Sequence, residues 1–117
     1  MFRVFGFLTK RDGLEMRAFI DYYENHHVPL ICSLASTPIV YKRRYIVRGE
    51  ELTKDGGAVD FDVMTELGFP DRDAFLAWMA RLSGPGPGEQ VAADEAKFLD
   101  RSRTRAYVVE EHSQPSE

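Results

Sequence analysis

A chain of 117 residues is long enough to bury one hydrophobic core, so we expect a single domain. Its composition, 44% hydrophobic and 29% charged, is typical of globular proteins, and no apolar run approaches the ~20 residues of a membrane span. The formal net charge of −4 disfavours nucleic-acid binding. A lone Cys32 cannot form an internal disulfide, and with no visible signal peptide it predicts a cytoplasmic protein.

The chain opens with a predicted strand over residues 2–9, which carries large apolar side chains on both faces and therefore needs cover on both sides. Asp12 and Gly13 then turn the chain into a helix over residues 15–27. Pro29 is expected to end this helix, because proline disfavours the helical conformation of the residue before it. A short extra turn follows over residues 30–34.

Two further strands are predicted over residues 39–48 and 61–68, joined by a polar connection over residues 49–59. Asp71 is a plausible N-cap for the next helix, whose apolar stripe is Phe75, Trp78, Met79 and Leu82. The glycines and prolines of residues 84–88 predict a surface loop. A third helix is expected over residues 89–100 and a last strand over 107–110.

This element order, β-α-β-β-α-(α)-β, predicts an α+β, ferredoxin-like βαββαβ fold with a four-stranded antiparallel sheet and helices on one face. We expect the domain to span residues 1–111 and residues 112–117 to form a flexible tail. The other face of the sheet would be left bare and apolar, and pairing two such faces in a homodimer would cover it.

His27 is the first candidate for chemistry. Phe19, Ile20, Tyr23 and His27 form one stripe of the predicted helix, and His26 lies about 80° away. If Pro29 ends the helix, the C-terminal dipole favours a charged imidazole while burial disfavours it, a balance suited to proton transfer. The alternative is a core histidine bonded to a nearby carbonyl.

Arg43 is the second candidate. In the predicted second strand it alternates with Tyr41 and Tyr45 on the more apolar face, so its guanidinium group needs a carboxylate or an anionic ligand. An internal ion pair with Asp94, Glu95 or another acid and a role as substrate anchor both remain open. A shift of one residue in the alternation would turn Arg44 inward instead.

Asp94 flanks the buried side of the third predicted helix, and a carboxylate beside an imidazole would hold its tautomer and raise its basicity. Alternatively, Asp94 caps a helix that restarts at Glu95. No metal site is expected, because the adjacent histidines would point about 100° apart. The aromatic interior suits a planar, oxygenated ligand. The candidate substrate-binding residues are Tyr23, Tyr45, Tyr41, Phe19, Trp78 and His26.

Several segments resemble the EthD family, a branch of the dimeric α/β-barrel (ferredoxin-like) superfamily. They are residues 8–11 (LTKR), 23–30 (YENHHVPL), 41–45 (YKRRY) and 93–100 (ADEAKFLD). The resemblance implies a homodimer of face-to-face sheets and a pocket in each monomer between sheet and helices. It also implies similarity to aromatic polyketide cyclases and decarboxylases that use no metal or organic cofactor. His27 corresponds to the histidine of the family's His-x-Pro pattern. Glu15 stands where the family often has a Ser or Thr helix cap.

We therefore expect a cofactor-independent acid/base enzyme of lyase, cyclase or isomerase type, acting on a hydrophobic, oxygenated, aromatic or enolisable carbonyl compound. His27 would move a proton next to the carbonyl, and Asp94 would orient it. Arg43 and a hydroxyl of Tyr45 or Tyr23 would stabilise the oxyanion. The alternatives are a cofactor-free monooxygenase of phenolic or polyketide substrates and a non-catalytic small-molecule binding protein.

Overall fold

The computed structural model describes residues 1–57 and 59–115. The chain order of elements confirms the predicted α+β, ferredoxin-like architecture. The strands are β1 (Phe2–Leu8), β2 (Val40–Tyr45), β3 (Val63–Phe69) and β4 (Arg105–Val109). The helices are α1 (Met16–Tyr22), a π-helical segment (Tyr23–His27), α2 (Val28–Leu34), α3 (Arg72–Ser83), α4 (Pro87–Glu95) and a 3₁₀ turn (Arg101–Arg103).

The sheet has the strand order β2-β3-β1-β4, and every neighbouring pair is antiparallel. Gly6 in the centre of β1 lies opposite Thr65 of β3 and Ala106 of β4. Because successive side chains point to opposite faces, Gly6 and Thr65 face the helices with Leu8. Phe5 lies on the opposite face, which we call the open face of the sheet.

The hydrophobic core lies between the helices and the sheet. Its buried members are Phe19, Tyr23, Val63, Phe98 and Leu99. Phe19 and Phe98 are completely buried, and their rings pack with centroids 5.8 Å apart. In the described part of the chain, no helix is both long and apolar enough to cross a membrane.

The prediction that Pro29 ends the first helix is wrong. The chain passes from α1 through the π-helical segment into α2 without leaving the helical conformation. Pro29 is the second residue of α2, a position at which proline is tolerated. His27 consequently lies in mid-helix, and the argument from a helix C-terminal dipole does not apply to it.

The expected loop over residues 84–88 is also shorter than predicted. Gly86, with a φ of 88°, precedes α4, and Pro87 is the first residue of that helix, where its fixed φ favours helix initiation. The Glu89 carboxylate accepts a 2.6 Å hydrogen bond from the Gly86 N–H. The helix ends at Glu95 rather than residue 100.

Strand boundaries differ by a few residues from the predicted ones, since β2 ends at Tyr45 and β4 begins at Arg105. Asp71 is the N-cap of α3 as predicted, its side chain accepting a 2.8 Å bond from the Ala74 N–H. Of the predicted 49–59 connection, residue 58 lies outside the described residues, as do residues 116–117 of the predicted tail. The flexibility of that tail stays a prediction.

Candidate functional site

His27 is held at the end of the π-helical segment. The Val28 N–H bonds to the Tyr23 carbonyl, five residues back, so the backbone turn is wider than in an α-helix. His27 is 5% exposed, and its ring packs edge-on against Tyr23, with centroids 5.3 Å apart. Phe98 covers another side of the ring at 4.9 Å. Such π segments occur frequently at functional sites.

Asp94 pairs with His27 across the core. The Nδ1 atom of His27 lies 2.8 Å from Oδ2 of Asp94, and the hydroxyl of Tyr22 donates a 2.6 Å hydrogen bond to Oδ1. Asp94 lies inside α4, which starts seven residues earlier at Pro87, so the interpretation of Asp94 as a helix N-cap is wrong. His27 is bonded to a carboxylate rather than to a carbonyl oxygen.

A cavity of about 810 Å³ lies between the sheet and the helices, and His27 is part of its wall. Within the described residues only Nδ1 of His27 is hydrogen-bonded, so Nε2 is the nitrogen available to a molecule in the cavity. Most of the wall is apolar. The aliphatic and aromatic lining includes Val4, Leu8, Ile31, Leu67, Phe75, Trp78, Met79 and Leu82. Gly84, Pro85 and Gly88 also line the cavity.

Five hydroxyl-bearing residues accompany His27 in this wall: Tyr23, Tyr41, Thr65, Ser83 and Thr104. The Tyr23 hydroxyl and Oγ1 of Thr65 are 2.6 Å apart, and Tyr41 lines the same cavity. Burial raises the pKa of Tyr23 to about 12, although the hydrogen bond with Thr65 opposes this shift. Burial likewise raises the pKa of Tyr41 far above its ordinary value. Both phenols therefore stay protonated near neutral pH and can act as hydrogen-bond donors.

The role of Arg43 as a substrate anchor is not supported, because its guanidinium group is paired inside the protein. Nη2 and Nε donate to the two carboxylate oxygens of Glu24 at 2.6 and 2.9 Å. Tyr45 donates to the same carboxylate at 2.6 Å. Arg43 does face the helices, as the alternation predicts, but its partner is Glu24 rather than Asp94 or Glu95, and neither Arg43 nor Tyr45 lines the cavity.

Two other predicted ligand contacts also fall outside the cavity. Phe19 is completely buried in the core, so no surface remains for a ligand. His26 is exposed and stacks on Tyr22 with centroids 4.8 Å apart. Trp78, Tyr23 and Tyr41 do line the cavity. The structure thus brings four of the nine candidate residues, His27 among them, into one wall, with Asp94 directly behind it.

Three residues near the site were missed from the sequence. Thr65 is an ordinary strand residue, and only its register opposite Gly6 brings it to the cavity. Tyr22 is not a member of the buried stripe that regular α-helical geometry predicts. Glu24 is the carboxylate that Arg43 requires, and the requirement for some acid was the only signal in the sequence that pointed to it.

Comparison with known families identifies the chain. The EthD domain model matches residues 11–102, which is most of the chain and includes His27, Asp94 and Tyr41. The protein belongs to the EthD family. No curated protein matches this EthD chain significantly in sequence.

Solved structures share the fold of this EthD protein at low sequence identity. An EthD family protein from Bacillus halodurans is 20% identical, with a TM-score of 0.64 over 96% of this chain and 100% of that one. An Arabidopsis thaliana protein is 15% identical, with a TM-score of 0.65 over 99% and 100%. A NIPSNAP domain protein from Burkholderia xenovorans is 13% identical, with a TM-score of 0.62 over the full length of both chains. At these identities the likeness establishes the fold alone.

Proposed function

We propose that this protein is a cofactor-independent acid/base enzyme that moves a proton on the carbon next to a carbonyl group. The observation that carries this proposal is the His27–Asp94 pair at a cavity wall, with Nδ1 bound to the carboxylate at 2.8 Å and Nε2 left for a ligand. A carboxylate that accepts from Nδ1 fixes the tautomer and the orientation of the imidazole ring. His27 is therefore the general base.

The proton transfer needs a partner for the negative charge that it creates. When Nε2 takes the proton from carbon, the electron pair moves to the carbonyl oxygen and an enolate forms. The phenol groups of Tyr23 and Tyr41 are protonated donors in the same wall, and hydrogen bonds to such an oxygen stabilise it. These two tyrosines take the place that the sequence assigned to Arg43. The protonated imidazole then returns its proton to carbon or to a leaving group.

The cavity favours a hydrophobic substrate. Its wall is mainly aliphatic and aromatic, and a volume of about 810 Å³ fits a molecule of one or a few rings. Trp78 and Phe75 supply aromatic surface against which a planar ring can stack. An oxygenated aromatic or enolisable ketone matches both this surface and the hydroxyl donors. Cyclisation, decarboxylation and isomerisation share this enolate step.

Exchange of the methyl protons of acetophenone and hydroxyacetophenones into deuterium oxide tests the proposal. Proton NMR follows the loss of the methyl signal with wild-type protein and with the variant His27→Gln. We expect the wild type to accelerate exchange, and the substitution to remove about 10²–10⁴-fold of that acceleration. The control is His112→Gln, an exposed histidine outside the cavity, which should exchange at the wild-type rate.

Three results would contradict the proposal. Unchanged exchange in His27→Gln, with wild-type thermal stability, would remove His27 from the role of base. Turnover that depends strictly on oxygen would favour the monooxygenase alternative. Ligand-induced stabilisation by aryl ketones without any accelerated exchange would favour a non-catalytic binding protein.

We also propose that two copies of the chain pair through the open face of the sheet. Phe5 and Phe7 are only half-buried there, and the Phe7 ring contacts Phe61 and Tyr107 at centroid distances of 5.0 and 5.9 Å. Apolar surface of this kind is typical of interfaces. Sedimentation velocity should give a dimer for the wild type and a monomer with unchanged circular dichroism for Phe5→Asp. A wild-type monomer at micromolar concentration would contradict this proposal.

A further inference from the structure

Tyr22 lies across Asp94 from His27. Each oxygen of the Asp94 carboxylate has one donor, with the Tyr22 hydroxyl 2.6 Å from Oδ1 and the His27 ring nitrogen 2.8 Å from Oδ2. Asp94 is 8% exposed and lies in the last turn of α4, where the helix dipole disfavours a negative charge. Hydrogen bonds must stabilise a buried carboxylate in that position, so the Tyr22 hydroxyl helps to stabilise the Asp94 carboxylate.

The Tyr22 ring is fixed and its hydroxyl is a permanent donor. The ring stacks on His26 with an interplanar angle of 26° and packs on Phe98 with centroids 5.2 Å apart. Partial burial, followed by the hydrogen bond to Asp94 and its negative charge, raises the pKa of Tyr22 to about 12. The hydroxyl thus keeps its proton throughout the neutral and mildly alkaline range and donates it to the carboxylate.

The carboxylate would lose its orientation without this second donor. Rotation of an aspartate carboxyl group about its last side-chain bond is broad and weakly restricted. One hydrogen bond, from His27, leaves that rotation free to exchange the two oxygens or to tilt the acceptor away from Nδ1. The Tyr22 hydroxyl pins Oδ1 from the opposite side, so that Oδ2 faces the imidazole.

We propose that Tyr22 is the positioning residue of the site: by holding Asp94 it keeps His27 in the Nδ1–H tautomer, with an unprotonated Nε2 facing the cavity. This inference rests on the proposed function for its catalytic consequence. Tyr22 itself does not line the cavity.

The test uses the full-length variant Tyr22→Phe, which keeps the packed ring and removes only the hydroxyl. Nitrogen-15 NMR of labelled histidine, in mildly alkaline solution, reports the tautomer, and the signal that disappears in His27→Gln identifies the residue. We expect one Nδ1–H tautomer in the wild type and a mixture in Tyr22→Phe. Exchange of acetophenone protons should fall about 10- to 100-fold through kcat, with an unchanged KM, because a misplaced base costs this much.

Tyr45→Phe is the matched control, because it also removes a 2.6 Å phenol–carboxylate bond, that to Glu24 outside the cavity. It should keep the wild-type tautomer and rate. A pure Nδ1–H tautomer in Tyr22→Phe, or an equal change in Tyr45→Phe, would overturn the positioning role. The tautomer decides this inference, and the wild-type exchange rate decides the proposed function, so the two failures are distinguishable.

Discussion

The buried hydrogen bond between Tyr23 and Thr65 gives a prediction whose magnitude follows from the structure. The two hydroxyl oxygens are 2.6 Å apart, and the residues are only 2% and 6% exposed. Tyr23→Phe leaves Oγ1 of Thr65 without this partner, and Thr65→Val removes the same bond from the phenol. Each single substitution should lower the free energy of unfolding by about 1–3 kcal/mol, the cost of a buried polar group that loses its bond.

The double variant should cost less than the sum of the two. Replacing both partners by apolar groups of similar shape removes the bond and the unpaired group together, so only the net bond of about 0.5–1.5 kcal/mol is lost. A chain of 117 residues has an unfolding entropy of about 0.25 kcal/mol/K, so each single variant should lower Tm by roughly 4–12 °C. The Tm of the double variant should fall by less than the sum of the two single decreases.

Urea denaturation followed by circular dichroism measures these differences. All four proteins are compared at one protein concentration, because association would make stability depend on concentration. The reasoning is refuted if the two single effects add to the double effect within about 0.5 kcal/mol. Additivity would mean that something other than the partner hydroxyl, such as a molecule in the cavity, satisfies each group.

Three further predictions concern stability. A Cβ at Gly68 would stand 2.9 Å from the Val40 Cβ directly across the β2–β3 pair, so Gly68→Ala should cost about 1–3 kcal/mol in urea denaturation, and Val40→Gly, which removes that Cβ, should reduce this cost. Failure of that rescue would contradict the steric cause. Burial raises the pKa of Glu66, but two adjacent guanidinium groups outweigh it and keep the pKa below 4.5. The ion pairs of Glu66 therefore contribute fully to the free energy of unfolding above that pH, and the contribution is lost as the pH falls. The difference in free energy of unfolding between the wild type and Glu66→Gln should shrink in acid. A difference that does not change with pH would contradict this reasoning. Asp71→Ala removes the α3 cap and should lower the free energy of unfolding by about 0.5–2 kcal/mol. An unchanged Tm in thermal melting would mean that the cap does not stabilise the protein.

The order of elements was predictable because its signals are local. Apolar residues on both faces mark β1, alternation marks β2, and Asp71 marks the start of α3 through the same short-range bond that the structure contains. The closeness of His27 and Asp94 was also within reach, since each sits on the buried side of its own helix. The position of a residue on the apolar face of a helix indicates that its side chain points into the core, even when the exact partner is unknown.

The partners of Arg43 and Tyr22 were not predictable, for two physical reasons. Arg43 bonds to Glu24, a pairing set by how the helix lies across β2 rather than by any spacing along the chain. A regular α-helical wheel does not relate Tyr22 correctly to His27, because the π-helical segment lies between them. The prediction that Pro29 ends the helix failed because α2 begins one residue before it, at Val28.

The π-helical segment acts as one extra residue inside an otherwise regular helix. Relaxing it into an α-helix would rotate everything before it by about 100° relative to everything after it. Phe19 in the core precedes the segment, and His27 at its end is tied to Asp94. The wide turn is therefore maintained by anchors at both ends, and local preference alone does not hold it. A peptide of residues 16–34, freed from those anchors, should lose the π turn, so the shape of this helix is a property of the folded domain and not of its own sequence.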